Sequence, residues 1–338
     1  MSAPSLEPRR RRPLRTAFNA VVIAAFVVFI AYAVAKRWGD VRDYAGRLSL
    51  RAAGLSMAAV LGAVWCSFLC WKAVLADFGS RVPLAGGMRI FFIGQLGKYL
   101  PGKLWPILTQ IRLGGEYRVP KRASAASAAV FMLLVLGTGL VLAAVTVPFL
   151  GGQAFSRYWW TLAALPLALA AMHPAILNRV LGLALRLTRR EPMPRPLTMR
   201  GIATAAFWCL PMWALFGVHT WALALDLGSA NAFDLYLRST GVFAASWSIG
   251  FLVGILPAGA GPREAAFILL FGATLPTAQV TVIALVSRLL ITLGDVAWGL
   301  LALLGVRKPA ADGVAEVAAA EAGTASAPVP EEPDRARR

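Results

Sequence analysis

Apolar residues run without alternation through stretch after stretch of this chain, and polar residues collect between the stretches. The stretches at about 17–35, 52–76, 123–148, 158–177, 201–225 and 277–304 are each close to the roughly 20 residues that a helix needs to cross the hydrocarbon core. Only helices and closed barrels satisfy all their backbone groups in lipid, and continuous rather than period-two apolarity predicts helices. Two more apolar stretches, 84–113 and 235–271, are broken by proline: Pro101 with Gly102 and Pro106 in the first, Pro257 and Pro262 in the second. The expected fold class is an all-α, polytopic membrane helix bundle. Composition agrees, since 58% of residues are hydrophobic and 15% charged, which excludes an ordinary soluble domain of this length.

The pattern divides the chain into a basic tail (1–15, with Arg9 to Arg12 and Arg15), a transmembrane domain (16–305) and a tail (306–338). The last is Ala, Glu, Pro and Gly without periodicity and is expected to be disordered. Ala33-Val34-Ala35 fits a signal-peptide cleavage site, but the apolar run before it is long for one, which favours an uncleaved helix. A net charge of +18 would suggest nucleic acid on a soluble protein. Here the cations sit in tails and loops, so they read as topology signals and as attraction to anionic headgroups, with no nucleic-acid partner. The excess of Lys and Arg places both termini, 114–122, 179–200 and Arg307-Lys308 in the cytoplasm of a cell carrying this protein in its cell membrane. The loop 36–51 is expected outside, yet it carries Lys36, Arg37, Arg42, Arg47 and Arg51 against Asp40 and Asp43. Part of it reads as an amphipathic helix in the interface.

Residues 93–106 read IGQLGKYLPGKLWP and residues 249–262 read IGFLVGILPAGAGP. Ile93/Ile249, Gly94/Gly250, Leu96/Leu252, Leu100/Leu256, Pro101/Pro257 and Pro106/Pro262 coincide at one ungapped offset. Three spans separate the copies, so they approach from opposite faces. The expected architecture is two inverted repeats, halves about 52–148 and 201–304, each with a broken or re-entrant helix pair. Pro101 and Pro257 end a first half-helix, and Pro106 and Pro262 open a second, at the first helical position that proline favours. A half-helix N-terminus offers free N–H groups and a partial positive charge to an anion such as phosphate.

Charges inside the apolar stretches carry the candidate chemistry, because a charge near the bilayer centre costs about 2.5–3.5 kcal/mol and is kept for a partner or a task. Lys98 and Lys103 flank the first break, and Arg263 and Glu264 follow the second. The candidate substrate-binding set is Lys98, Pro101, Gly102, Lys103, Gly259, Gly261, Arg263 and Glu264. Arg288 and Asp295, near one face of the last helix, are candidates for gating or an ion pair. The structural alternatives are that Lys98 snorkels, that Arg263 and Glu264 form an internal pair, and that Arg288 and Asp295 form a structural pair. Lys72, near a helix end, is expected to snorkel. Cys66, Cys70 and Cys209 fall inside apolar helices and read as packing residues. His173 and His219 have no companions in the sequence and read as incidental, while Tyr158, Trp159 and Trp160 read as interfacial anchors. There is no P-loop, dinucleotide fingerprint, zinc spacing or serine elbow, so neither an enzyme nor a cofactor is expected. Asp226 and Asp234 are the only loosely suitable acids for an enzyme acting on lipid-linked sugars.

GKYLPGKLWPILTQIRLGG (97–115) and LVGILPAGAGPREAAFILLFG (252–272) together resemble the flippase-like membrane domain of lysylphosphatidylglycerol synthases and their stand-alone relatives. The resemblance rests on Pro101-Gly102-Lys103 with Trp105, and on Leu256-Pro257 through Arg263-Glu264. It implies movement of a lipid with a polar, often phosphate-bearing headgroup between leaflets, and places Lys103, Arg263 and Glu264 near the pathway. Ala258 stands for a usual glycine and Pro262 for an apolar residue, which puts the family's hairpin geometry in question there. The bifunctional relatives carry an aminoacyl-transferase domain after the membrane part, and this chain ends at Arg338 without one, so the lipid need not be lysylphosphatidylglycerol. The expected partners are membrane lipids with anionic or phosphate headgroups. A homo-oligomer and a lipid-modifying enzyme are the protein partners this reading allows. The alternative function is a non-transporting scaffold subunit for a lipid-modifying or cell-wall enzyme.

Overall fold

A computed structural model describes residues 38–99, 104–146, 159–189, 191–193, 195–230, 233–253, 259, 261–272 and 274–305, and the contacts below are those of these residues. The expected helix at 17–35, both tails, and Pro101, Gly102 and Lys103 lie outside them. The described residues form helices and turns only. In chain order these are α1 (Trp38–Arg47), α2 (Leu50–Asp77), α3 (Leu84–Leu96), α4 (Trp105–Gly115), α5 (Lys121–Thr146), α6 (Leu165–Ala171), α7 (Pro174–Leu187), α8 (Met199–Asp226), α9 (Phe233–Val253), α10 (Pro262–Phe271) and α11 (Thr277–Gly305). Four of them, α2, α5, α8 and α11, are 26 to 29 residues long and apolar enough to cross a membrane. At 1.5 Å per residue each reaches about 40 Å, beyond the ~30 Å hydrocarbon core. The protein is a multi-pass helical membrane protein.

The longest contact in the bundle is between α2 and α8, which lie antiparallel over their whole length. The N-cap of α2 is Ser49, whose hydroxyl accepts from Ala52 N. Its own N–H and hydroxyl donate to the Asp226 carboxylate at the far end of α8, at 2.5 and 2.7 Å. The arrangement is mirrored at the other end. Thr198 caps α8 by accepting from Gly201 N, and its N–H and hydroxyl donate to Asp77 at the end of α2, both at 2.7 Å. Each helix therefore ends on an aspartate that closes the other's N-terminus, supplying an acceptor to donors that no helix can satisfy itself. Ser49 to Thr198 and Asp77 to Asp226 are the same step of 149 residues. Between the caps, Ser56 meets His219 and Cys70 meets Cys209. Asp226 is thus a structural cap rather than a catalytic acid, and Asp234 is held by Arg238 one turn on at 3.0 Å.

Two helical hairpins fill the remaining space. At 13 and 11 residues, α3 and α4 are too short to span alone, and they fold back on one another. Gly86 lies against Tyr117, Gly94 against Gln110, and Gly97 against the Trp105–Pro106 backbone. A Cβ on Gly97 would stand 2.9 Å from Pro106 N, so only glycine permits this approach. The first arm leaves α-helical geometry at Leu96, sooner than Pro101, and tightens into a 3-10 turn over Gly97–Tyr99. In the second hairpin α9 runs inward and α10 returns, with Gly250 against Arg263 and Gly259. Pro262 opens α10 as its first residue, and Pro106 is the second residue of α4, close to the positions where proline is tolerated. The base of the first hairpin lies at the Asp77–Thr198 end. The base of the second lies at the Asp226–Ser49 end, where Gln279 of α11 donates to Ala224 O and Ser229 and Gly241 meets Thr146. The two tips therefore approach each other from opposite ends.

One expected span is corrected. Residues 158–177 do not form a straight helix that ends there. A 3-10 segment (Trp159–Ala164) leads into α6, which is bent by 58° against α7. Pro174 causes the bend, since proline disfavours helix at the residue before it and removes an N–H; the His173 ring accepts from Ala175 N as the new N-cap. Arg179 and Arg186 consequently ride on a helix rather than in a loop. The basic segments 114–122 and 179–200 share one end of the bundle, where Arg122 pairs with Glu191 at 2.5 Å and Arg195 lies against Gly79. The described part of the 36–51 segment, from Trp38 on, lies at the other end and contains the helix α1, which rests on α11.

The mirrored caps make a prediction. Asp77→Ala and Asp226→Ala should each destabilise by about 1–2 kcal/mol, the usual worth of an N-cap contact. The double variant should show the sum, because the two caps are a helix length apart. Thermal unfolding in detergent measures this. Unchanged midpoints in both single variants would mean that the caps do not hold the α2–α8 pair.

Candidate functional site

The hairpin tips converge on α11, and α11 supplies one charged residue to each. Asp295 takes the first tip: Lys98 Nζ lies 2.7 Å from its carboxylate and the Tyr99 hydroxyl donates to it at 2.6 Å. Arg288 takes the second tip by pairing with Glu264. Glu264 also reaches back to accept from Gly261 N at 2.7 Å, which caps α10. Arg288 and Asp295 are seven residues apart, two turns on one face of α11. The expected pairs are corrected accordingly. Arg288 does not pair with Asp295, nor Arg263 with Glu264; each pair crosses between elements. Lys98 does not snorkel to the interface but turns to Asp295, which is 3% exposed. Gly259 and Gly261 hold φ of +68° and +91°, and that left-handed geometry lets the chain turn from the break into α10.

Arg263 is the cation of this cluster without a carboxylate partner among the described residues. Its guanidinium stacks over the Phe243 ring at 4.9 Å, a cation–π contact that uses the ring face and not the N–H donors, whose geometry suits an anion. It faces Lys98, Tyr99, Arg288 and Asp295 across the tips. Among the described residues the cluster holds three cations (Lys98, Arg263, Arg288) and two carboxylates (Glu264, Asp295), so one positive charge is in excess. A recess between α10 and α11 opens onto it, lined by Arg263, Glu264, Phe267, Ala284, Ser287 and Arg288. The recess is narrow, with room at its centre for about one water molecule.

A group that composition and motif did not reveal lies behind it. His219 is fully buried, with Nδ1 2.5 Å from the Ser56 hydroxyl and Nε2 2.8 Å from the Ser287 hydroxyl. These residues come from α8, α2 and α11, so no local spacing marks them. The one available signal was that an ionisable residue deep in an apolar helix rarely stands idle. Tyr99 was likewise missed, although it lies inside the quoted 97–115 stretch.

The fold and the cluster define a class: a helical membrane domain whose two broken hairpins bring an excess cation to the interior. Residues 17–299 match the family described as the lysylphosphatidylglycerol synthase TM region. The match covers most of the chain, and the protein belongs to this family. No curated protein matches the chain.

The crossed ion pairs make a prediction. Asp295→Asn leaves Lys98 without its carboxylate and should cost about 1–3 kcal/mol, less than the 3–5 of a fully buried pair because the Lys98 side chain is 31% exposed. Lys98→Met combined with Asp295→Leu should be the more stable of the two variants, since it removes both charges from the interior. Denaturation midpoints rank them, and the reverse order would show that the pair does not join tip to helix.

Proposed function

We propose that this protein carries a lipid with an anionic, phosphate-bearing headgroup between the leaflets of a cell membrane, with both termini in the cytoplasm. The observation that carries the reading is Arg263: a cation with no carboxylate partner among the described residues, beside a helix break inside the bundle, in a cluster that holds one positive charge in excess among those residues. A guanidinium is suited to a phosphate because its donors match two oxygens at once. Lys103, with Pro101 and Gly102 before it in the sequence, is proposed as a second cation for the pathway, and Gly259 and Gly261 shape the turn into α10. Glu264 and Asp295 keep Arg288 and Lys98 occupied while no headgroup is present. Two inverted halves rocking against each other give alternating access. The end-to-end antiparallel pairing of α2 with α8 and the approach of the tips from opposite ends support that symmetry. The membrane domain works as a carrier and not as an enzyme.

The test is leaflet exchange in proteoliposomes with fluorescent phosphatidylglycerol and, separately, a short polyprenyl phosphate. Exchange of at least one should rise above protein-free vesicles. Arg263→Ala should lower it about 10- to 100-fold, as expected for losing a charge-assisted hydrogen bond of about 1.5–3 kcal/mol. If neither lipid moves in folded protein, the carrier reading fails and a scaffold role becomes the better account.

A further inference from the structure

We propose that His219 is a proton-binding site that fills together with an anion at Arg263, so that each headgroup entering the recess is accompanied by one proton. The inference rests on the carrier reading and adds a co-substrate to it.

The first support is the choice of partners. Both ring nitrogens meet serine hydroxyls, Ser56 at Nδ1 and Ser287 at Nε2. A hydroxyl both donates and accepts. A neutral imidazole needs one donor and one acceptor beside it, an imidazolium two acceptors, and two serines serve either state by rotating a hydrogen. A carboxylate would have fixed the charged form. Ser56 even has a second acceptor within reach, since its hydroxyl also lies 3.3 Å from the His219 carbonyl. When Nδ1 carries a proton, the Ser56 hydrogen can turn to that oxygen, and no buried donor is left unpaired.

The second support is the route. Ser287 lines the recess and touches Nε2. A proton that reaches the recess from bulk as a protonated water passes to the Ser287 oxygen while the Ser287 hydrogen passes to Nε2, and the water is left neutral. The serine ends unchanged, and the imidazole gains one proton and one charge. No oxidant, metal or other group takes part.

The third support is the charge around it. From α10, Arg263 acts on His219 through space. The two share Phe243 of α9, whose ring stands edge-on to the imidazole at a centroid distance of 6.1 Å and carries the guanidinium at 4.9 Å. From α11 come Ser287 and, one residue on, Arg288. From α2 comes Ser56, without charge. The carboxylates nearest this region, Glu264 and Asp295, are engaged with Arg288 and Lys98. A second positive charge here is opposed first by burial, which disfavours the charged imidazole, and then by Arg263, because like charges repel strongly at this depth. An anion at Arg263 removes the second of these and adds an attraction that offsets the first. By reciprocity, the proton then favours the anion as much as the anion favours the proton.

The experiment uses the full-length protein in nanodiscs and a fluorescent short-chain phosphatidylglycerol, whose phosphodiester keeps its charge across the range. Affinity is measured at about pH 8 and about pH 5.5, on either side of the range where histidine changes charge, and proton uptake on binding is measured in weak buffer. Wild-type protein should bind about 5- to 50-fold tighter at the lower pH, the usual span of a coupling between two sites, with proton uptake on binding. His219→Gln should bind with one affinity at both, and Ser287→Ala, which keeps the imidazole, should reduce the pH effect. Binding with equal affinity at both pH values in wild type, or an undiminished pH effect in His219→Gln, overturns the proton site and leaves the carrier reading standing. No binding at either pH overturns both.

Discussion

Every polar group at membrane depth must find its partner inside the protein, because the hydrocarbon offers none. The interior of this bundle is arranged around that requirement. A helix break exposes backbone donors, and at the second tip Glu264 accepts from Gly261 N. The carboxylate so introduced needs a cation, and Arg288 of α11 supplies it. At the first tip Lys98 and the Tyr99 hydroxyl both need an acceptor, and Asp295, two turns along the same face of α11, serves both. The breaks are tolerated because one continuous helix carries opposite charges at the spacing of the two tips. Remove α11 from this account and each tip holds an unpaired charge in lipid.

The α2–α8 pair imposes the frame within which the tips can meet. Two helices of 28 residues, each ended by an aspartate that closes the other's N-cap, leave no freedom to slide along one another. Loops of only a few residues follow each of them, so the first hairpin must start from one end of the frame and the second from the other. The hairpins are not copies in length: α9 has 21 residues where α3 has 13. The hairpin motifs are therefore 156 residues apart and the caps 149. The longer arm carries Phe243, which lies against both Arg263 and His219, and among the described residues Arg263 rather than Lys98 is the cation left without a carboxylate.

The spanning helices were legible because their signal is local and additive over some twenty residues, and four of them fall within a few residues of the expected bounds. The breaks were legible because proline and glycine act on their immediate neighbours, as Pro262 does in opening α10. What the sequence could not disclose was partner choice. Arg263 beside Glu264, and Arg288 seven residues before Asp295, look like pairs along the chain, yet each binds across to another element, because a helix face points away from its sequence neighbours. For the same reason Asp77 was passed over, Asp226 was read only as a loosely suitable acid and His219 as incidental. Each acts on a residue more than a hundred positions away (for His219 this is Ser56), and no local pattern marks a contact of that range. The bend before Pro174 is the opposite case, a local signal overridden by the apolar average of the surrounding stretch.

The ion pairs at the tips also bear on how such a site could open. The recess is too narrow for a headgroup, so on the proposed carrier reading admission would require Arg288 or Lys98 to release its carboxylate. Pulling a buried cation free with nothing in exchange costs several kcal/mol. A phosphate changes that balance, because it offers the cation the same kind of charge-assisted hydrogen bonds that the carboxylate gave. The exchange of one oxyanion for another keeps the cation satisfied throughout. The released carboxylate is then the group left to be satisfied, and Glu264 retains the N–H of Gly261 while Asp295 retains the Tyr99 hydroxyl. Each carboxylate at the tips therefore has a second donor that outlasts its cation. That shared feature is what the carrier reading asks of a switchable pair, and different residues supply it in the two hairpins.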